Sequence, residues 1–455
     1  MKRRLAVLCA LSLTAVTLIT GCGSSAEKGQ EGSSSEAGNE AAGVTENGSG
    51  NDVGSAELTM FWGSAEAQEY TDYIKEVISE FEAENPDIKI NLSLVSDPEG
   101  QIKQQIAAGG GPDIINTTST DTYLFASADY LIPLDDYAKQ YNWDERFDQW
   151  VKDTLSYDEK WYGLPGQMDA MVVYYNVSMF EENGWKIPTT YDELVSLCEA
   201  MTEKGVFPFT YGVSDYKIAN QWWISQAFCA GLGQEDMHKL LQGEMDWTSD
   251  EVRDTVEKFI HLWQNNYIYK DSAAITLDDA RSLFTTGKAA MFMTGSWDVT
   301  TLDDSITGFD WNVYQMPSWR EGVDSVLPVA LGGSCSINTR CENPDAAAKF
   351  LDYMYQPEVA ARMLEFTTLY PQKNIDISGV DAPEKVKMLQ SFIDDTLEIG
   401  NIGYCAWTYW PVNTDTYAWN NIESVVMGQT SVDEYLNKLQ ENFELDMEKG
   451  NVLEF

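Results

Sequence analysis

Histidines and phosphate-binding loops carry much of the chemistry found in proteins, and they are scarce in this chain. The 455 residues include two histidines, His238 and His261, without a second histidine at helical spacing or a cysteine pair nearby. This makes a zinc site or a Ser-His-Asp triad improbable. Gly287-Lys288 is followed by Ala289, so the Ser or Thr of a phosphate-binding loop is missing. We expect no metal and no cofactor.

The seven cysteines do not form a disulfide framework. Cys9 and Cys22 lie near the N-terminus, and the five others make an odd number, which excludes complete pairing. Cys335 and Cys341 are close enough in sequence to close a short loop, but buried free thiols are the interpretation that we favour.

Carboxylates and tryptophans are abundant, with 73 Asp plus Glu and 15 Trp. Indole rings stack on the flat C–H face of a pyranose, and carboxylates accept hydrogen bonds from its hydroxyls. Two carboxylates at a suitable separation are also all that glycoside hydrolysis requires. The composition therefore leaves open both a sugar-binding protein and a carbohydrate-active enzyme.

The N-terminus indicates export. Lys2, Arg3 and Arg4 precede an apolar stretch over residues 5–19, which ends in Thr20-Gly21-Cys22. Residues 1–21 resemble a bacterial lipoprotein signal peptide, which implies cleavage before Cys22 and lipidation of its thiol. Residues 22–55 are rich in Gly, Ser, Glu and Ala, and we expect a disordered tether. The predicted location is extracytoplasmic, with the lipid as the anchor to the outer face of the cytoplasmic membrane.

The formal net charge is −44 at pH 7. Such an acidic surface repels nucleic acid and anionic lipid head groups, so we expect neither as a partner. Excess charge also keeps a protein soluble, which is the explanation of the acidity that we favour. We also expect a monomer.

About 400 residues follow the tether, enough for two lobes. The first part alternates strand and helix: strands over residues 58–62, 88–94 and 113–115, and helices over 68–84 and 101–108. Capping boxes begin helices at Thr190 and Ser431, and Pro344 and Pro357 occupy first helical positions. This pattern predicts an α/β protein with parallel or mixed sheets.

A series of motifs in this region resembles the extracellular solute-binding proteins of carbohydrate ABC importers, the family that contains maltose-binding protein. The motifs follow the family's order and cover nearly all of the folded chain. One departure is that a family glycine is Asp129 or Tyr130 here. The matching segments are Gln104 to Gly109 with Pro112-Asp113-Ile114, Leu131 to Asp135, Trp161 to Pro165, Val173 to Asn176, Pro188 to Leu194, Phe284 to Met291 with Gly295-Ser296-Trp297, Gly332-Gly333 with Ser336-Ile337-Asn338, and Gly428 to Glu434.

The resemblance implies a periplasmic-binding-protein-like fold of two α/β lobes, a multi-strand hinge and a central ligand cleft. We place lobe one at residues 56–164 plus 326–370 and lobe two at residues 165–325 plus 371–455. It further implies capture of a sugar, hinge closure and delivery to the transmembrane subunits of an ABC permease, without chemistry.

Candidate ligand-binding residues are those at predicted strand ends or in motif loops. The number of aromatic candidates favours an oligosaccharide of two or more units. Trp143, Trp150, Trp185, Trp263 and Trp311 are interpreted as structural. The candidates are Trp62, Glu66, Asp121, Gln167, Asp169, Trp222, Trp223, Gly295, Trp297, Asp298, Gly333, Trp407 and Trp410.

Two alternatives stay open at this point. One is the exported carbohydrate-active enzyme, which product formation from an oligosaccharide distinguishes. The other is a binding protein for a non-sugar solute such as a polyol or a peptide, or a partner of a sensor, which a ligand screen distinguishes. The identity of the sugar and the envelope type do not follow from the sequence, although the long tether favours a Gram-positive cell surface.

Overall fold

The structure is a computed structural model, and it describes residues 55–63, 68–95 and 98–453. The described chain alternates helices and strands as an α/β protein. The strands are β1 Ala56–Gly63, β2 Ile88–Val95, β3 Ile114–Thr117, β4 Ser156–Tyr157, β5 Lys160–Trp161, β6 Leu164–Pro165, β7 Met168–Asn176, β8 Phe207–Thr210, β9 Ala289–Gly295, β10 Trp311–Tyr314, β11 Leu327–Leu331, β12 Ser334–Ile337 and β13 Ile402–Tyr404.

The helices include several short 3₁₀ turns besides the α-helices, among them Ser296–Asp298 and Arg362–Phe366. The α-helices are α1 Gln68–Glu84, α2 Pro98–Ala107, α3 Ser119–Ser127, α4 Asp135–Tyr141, α5 Gln149–Thr154, α6 Val177–Asn183, α7 Tyr191–Glu203, α8 Asn220–Leu241, α9 Asp250–Gln264, α10 Leu277–Thr285, α11 Val299–Ser305, α12 Pro344–Met354, α13 Pro357–Ala361, α14 Glu384–Glu398, α15 Ala406–Tyr409, α16 Val412–Val426 and α17 Val432–Lys449.

A first sheet, here called sheet I, has the strand order β2-β1-β3-β12-β6 in the described chain. β1 pairs in parallel with β2 and β3, and α1 and α2 supply the crossovers, which confirms the predicted βαβαβ order. α1 has the predicted bounds because its apolar face of Tyr73, Val77 and Phe81 is buried and Asn85-Pro86 ends it. β12 and β6 close the sheet in antiparallel pairing.

A second sheet, sheet II, has the order β13-β11-β7-β9-β8, and β10 pairs with the far end of β7. β7 is central and is buried on both faces: Ala170 and Val172 face one core, and Met171 and Val173 face the other. α8, α9, α16 and α17 cover the second of these faces.

The chain passes between the two sheets at three neighbouring places. β6 of sheet I leads into β7 of sheet II, and β11 of sheet II leads into β12 of sheet I. The third passage follows Arg362–Phe366, and Leu369 O accepts a hydrogen bond from Met168 N at 3.1 Å. Gly166 N also donates to Gly333 O at 2.9 Å. This confirms two α/β lobes with a hinge of several strands.

The pairing of β11 differs in position from the proposed lobe boundary. β11 pairs with β7 and β13, so residues 327–331 belong to sheet II, whereas the sequence analysis placed residues 326–370 in lobe one. The sequence of a short buried strand does not indicate which sheet the strand joins, because both of its faces are apolar.

The predicted N-cap residues of two helices accept the expected hydrogen bonds. Thr190 and Ser431 each accept a hydrogen bond from the backbone N–H three residues later, at 3.2 and 3.1 Å. Pro344 and Pro357 lie in the first turns of α12 and α13. These caps satisfy N–H groups that the first turn leaves unpaired.

Cys198, Cys229, Cys335, Cys341 and Cys405 are buried and free, which confirms the favoured interpretation of unpaired thiols. No helix within residues 55–63, 68–95 and 98–453 is both long and apolar enough to span a membrane.

Candidate functional site

A cavity of about 550 Å³ lies beside the passages between the sheets. Three stretches of chain form it: the start of β7, the turn and helix after β9, and the third passage. Its lining residues are Gln167, Met168, Asp169, Ser296, Trp297, Thr300, Thr301, Asp304, Ser305, Thr367, Thr368 and Leu369.

Gln167 and Asp169, both predicted ligand-binding residues, line the cavity from the first passage. Gln167 O accepts a hydrogen bond from Gly332 N at 2.9 Å. A Cβ on Gly332 would meet the Gln167 side chain at 2.3 Å, so this close approach requires a glycine. The second passage is thus packed against the first at Gln167, which lines the cavity.

Trp297 presents the aromatic surface of the cavity. β9 ends at Gly295, and the following 3₁₀ turn exposes 39% of the Trp297 side chain. The neighbouring Ser296 is buried, and its Oγ accepts a hydrogen bond from Ala170 N at 3.2 Å. The turn is therefore fixed to β7, while the indole beside it stays accessible.

Two further indoles pack against Trp297. The ring centroids of Trp222 and Trp297 are 5.1 Å apart, and those of Trp297 and Trp407 are 6.1 Å apart. Trp222 and Trp407 are half-buried, and Tyr216, 49% exposed, lies 6.3 Å from Trp222. We call Trp222, Trp297 and Trp407 the tryptophan cluster.

α11 supplies the polar wall that the sequence analysis missed. Thr300, Thr301, Asp304 and Ser305 line the cavity. The sequence pattern that indicates this polar wall is a helical repeat of hydroxyl and acidic residues directly after Trp297. These residues lie opposite the buried Val299 and Leu302. No comparable sequence pattern marks Thr367, Thr368 and Leu369. Their position beside the cavity depends on the path of the third passage.

Three of the tryptophan predictions are wrong for a stacking surface. Trp62 is 0% exposed, Trp223 0% and Trp410 3%. Trp62 packs against Tyr70, Trp223 against Phe209, and Trp410 between Phe228 and Trp247. Each ring fills a core and offers no face to a ligand. Trp143, Trp263 and Trp311 are buried as expected, and Trp150 and Trp185 are half-buried against a core.

Two predicted acidic residues are buried in ion pairs. Asp121 Oδ1 lies 2.8 Å from Lys103 Nζ, and Asp298 Oδ1 lies 2.8 Å from Arg281 Nη2. Thr294 Oγ1 also donates to Asp298 at 2.6 Å. Burial raises the pKa of Asp298, and Arg281 opposes that shift. Both carboxylates are committed to protein partners, so we reassign them to a structural role.

Gly295 and Gly333 act through the backbone. Gly295 is buried beneath the Trp297 ring, and Gly333 has φ of +131°, which a residue with a side chain rarely adopts. Glu66 and the proposed lipidation residue Cys22 lie outside the described residues.

Asp415, which was not among the predicted site residues, is a half-buried acid whose side chain is hydrogen-bonded to the residue before Trp222. Its Oδ2 accepts a hydrogen bond from Gln221 Nε2 at 2.5 Å, and Gln221 directly precedes Trp222. Its Oδ1 is buried without a hydrogen-bond partner among the described residues. Burial raises the pKa of Asp415 to about 7, and the bond from Gln221 opposes the shift.

The lining of the cavity is suited to holding a polar ligand. Histidine, cysteine, lysine and arginine are absent from its lining residues, whose charged groups are Asp169 and Asp304. Elsewhere too, the described residues contain no cluster of His, Cys, Asp or Glu arranged to hold a metal ion. An exposed indole, several hydroxyls and two carboxylates are groups that recognise hydroxyl-rich molecules.

Comparisons with known proteins identify the family of the chain. The model of the family described as bacterial extracellular solute-binding protein matches residues 65–361, more than half of the chain. The multiple sugar-binding protein of Streptococcus mutans is 25% identical over 321 residues, covering 69% of this chain and 72% of that protein. The maltotriose-binding protein of Pyrococcus abyssi is 25% identical over 287 residues, covering 62% of this chain and 60% of that protein.

Solved structures share the fold. A chitin oligosaccharide binding protein superimposes with a TM-score of 0.71 at 21% identity, covering 86% of this chain and 98% of the other. The ligand-free RafE of Streptococcus pneumoniae superimposes with a TM-score of 0.70 at 23% identity, covering 88% and 99%. The family match and the two-lobe fold lead to one conclusion: the chain belongs to the family of bacterial extracellular solute-binding proteins.

Proposed function

We propose that the protein captures a neutral oligosaccharide outside the cell and delivers it to an ABC importer. The observation that carries this proposal is the exposed Trp297 indole in a cavity walled by hydroxyls and carboxylates, beside the passages between the lobes. Relatives named as sugar-binding and maltotriose-binding proteins support a sugar as the ligand.

The cavity chemistry favours an uncharged ligand. Asp169 and Asp304 would repel a uronic acid or a sugar phosphate, and the lining holds no Lys or Arg to offset that repulsion. Carboxylates and hydroxyls instead accept and donate hydrogen bonds to sugar hydroxyls. The volume of about 550 Å³ lies within the range of small-molecule sites.

The length of the proposed ligand follows from the tryptophan cluster. Trp222 and Trp407 pack against Trp297 with centroid separations of 5.1 and 6.1 Å, so three indoles that are each partly exposed lie together. A single pyranose covers one indole face. We therefore favour a ligand of two or more units, held by Trp297, Gln167 and Asp169 with stacking from the flanking indoles.

Closure about the three passages would trap the ligand. In this proposal sheet I and its helices form lobe one, and sheet II and its helices form lobe two, with β11 moved from lobe one to lobe two. The closed form would be the one that the permease subunits recognise.

The proposal includes no turnover. The family is described as solute-binding proteins, which supports binding without chemistry. We further propose that the protein is anchored by a lipid at Cys22, is monomeric and lies outside the cytoplasm.

A thermal-shift screen tests the proposal. The panel holds maltotriose, raffinose, diacetylchitobiose and xylobiose, with digalacturonate, polyols and peptides as contrasts, and each mixture is then checked for products by chromatography. A ligand at 100 times its dissociation constant adds about 2.7 kcal/mol to stability. A shift with a neutral oligosaccharide and no product is expected. A shift with only digalacturonate or a peptide, or cleavage of the sugar, would overturn the proposal.

A further inference from the structure

The short helix α15 joins two environments. Trp407, on α15, packs against Trp297 in the tryptophan cluster. The next residues, Thr408 and Tyr409, are 1% and 2% exposed and lie away from solvent. α15 belongs to the sheet II side of the molecule, because it directly follows β13.

The buried end of α15 contacts helices of the sheet I side. The hydroxyls of Tyr409 and Thr154 are hydrogen-bonded at 3.2 Å, and Thr154 ends α5. Ser119 Oγ, at the start of α3, donates to Thr408 O at 3.4 Å. Thr154 and Ser119 are each 2% exposed, so these contacts are shielded from water.

Helix α8, on the sheet II side, contacts the other end of the same helix. Ser225 Oγ on α8 accepts a hydrogen bond from Ala406 N at 2.8 Å, which satisfies the first N–H of α15. A four-residue helix has few hydrogen bonds of its own, so its orientation depends on such outside contacts. The position of Trp407 is therefore set from both ends.

We propose that Tyr409 and Thr154 are positioning residues for the sugar site. Their hydroxyl pair fixes the C-terminal end of α15 to the sheet I side, and this sets how the Trp407 indole faces Trp297. The position of the tryptophan cluster therefore depends on how the two lobes are placed relative to each other. This inference rests on the proposed function for its effect on affinity, but not for its effect on Trp407.

The first experiment needs no ligand. Protein labelled with 5-fluorotryptophan is studied by ¹⁹F NMR, and the Trp407 resonance is assigned by its loss in Trp407→Phe. In Tyr409→Phe and Thr154→Val we expect this resonance to shift or broaden, and the two variants together to do no more than either alone. An unchanged Trp407 resonance in both variants would overturn the proposal.

The second experiment measures affinity with the neutral oligosaccharide that gives the largest shift in the thermal screen. Tyr409→Phe should weaken binding by about threefold to tenfold, the range expected for one buried hydrogen bond. Tyr435→Phe is the matched control, because Tyr435 OH donates to Ala418 O at 3.1 Å within a buried part of the sheet II side.

The two arms separate the possible failures. Equal melting-temperature losses in both Tyr→Phe variants, with lost affinity only in Tyr409→Phe, support positioning. Equal affinities in the two variants contradict it. If the wild-type protein binds no sugar of the panel, the proposed function fails, and the ¹⁹F result alone decides whether Tyr409 and Thr154 position Trp407.

Discussion

The indole of Trp297 lies directly on the backbone of Gly295. A Cβ placed on Gly295 would come within 2.2 Å of the ring, closer than any Cβ contact in a real structure. Trp297 thus occupies its place because the residue two positions earlier has no side chain. The same strand end fixes Tyr174, whose hydroxyl donates to Gly295 O at 3.1 Å.

Gly295→Ala should displace the Trp297 ring and weaken sugar binding by about tenfold, since the stacking face would turn out of the cavity. Calorimetric titration measures this change. Gly308→Ala is the control, because a Cβ there has no atom within 4 Å. Equal affinities for the two variants would remove Gly295 from the site.

Trp297→Ala should weaken sugar binding by about 1 to 3 kcal/mol through lost stacking area. Its melting temperature should change little, because 39% of the side chain is already exposed. Trp263→Ala, which removes an indole with 7% exposure, should instead cost about 3 to 5 kcal/mol of stability with nearly unchanged affinity. Unchanged affinity in Trp297→Ala would assign that indole to packing.

Adjacent tryptophans on α8 should respond in opposite ways. Trp222→Ala should reduce affinity with a small loss of stability, because the half-buried ring belongs to the cluster. Trp223→Ala should cost about 3 to 5 kcal/mol of stability, because that ring is 0% exposed among Phe209 and Phe259. Urea unfolding and sugar titration measure the two effects. The reverse pattern would contradict the structure of this helix.

Asp415 should make stability depend on pH. Its pKa is raised from 3.8 to about 7 in the folded protein, so the folded state keeps a proton that the unfolded chain loses. The contribution of Asp415 to the free energy of unfolding is therefore complete below pH 4. It decreases as the pH rises towards 7, by about 4 kcal/mol at most.

Asp415→Asn tests this directly, because Asn can still accept the bond from Gln221 without carrying a charge. Urea unfolding at pH 5 and pH 8 should show a smaller loss of stability in the variant than in the wild type. Asp394, whose pKa burial raises to about 6, adds a slope of the same sign, but it is present in both proteins and cancels in the comparison. Identical slopes would show that Asp415 is not protonated in the folded state.

Local elements were predictable where one short stretch of sequence contained the whole cause. α1 has the predicted bounds because its buried face repeats with the helical period and Pro86 stops it. The first turn of α7 follows from the Thr190 cap. Family motifs supplied the two-lobe fold, which no single element indicates.

The site was predictable only in part, because burial of a side chain is decided by distant segments. Trp62 lies near the end of β1 and Trp297 lies just after β9, but α1 covers Trp62 through Tyr70, while Gly295 lets Trp297 lie at the surface. The acidic candidates divide in the same way: Asp298 meets Arg281, and Asp169 lines the cavity. The sequence does not record these long-range pairings.

The central claim is that a sugar binds on Trp297 beside the passages between the lobes. The most direct measurement is a crystal structure of the protein with the oligosaccharide that gives the largest thermal shift. We expect an intact sugar with one ring face on the Trp297 indole and hydroxyls within hydrogen-bond distance of Asp169 and Thr300. A sugar bound elsewhere on the molecule, or a cleaved sugar in the cavity, would contradict the account.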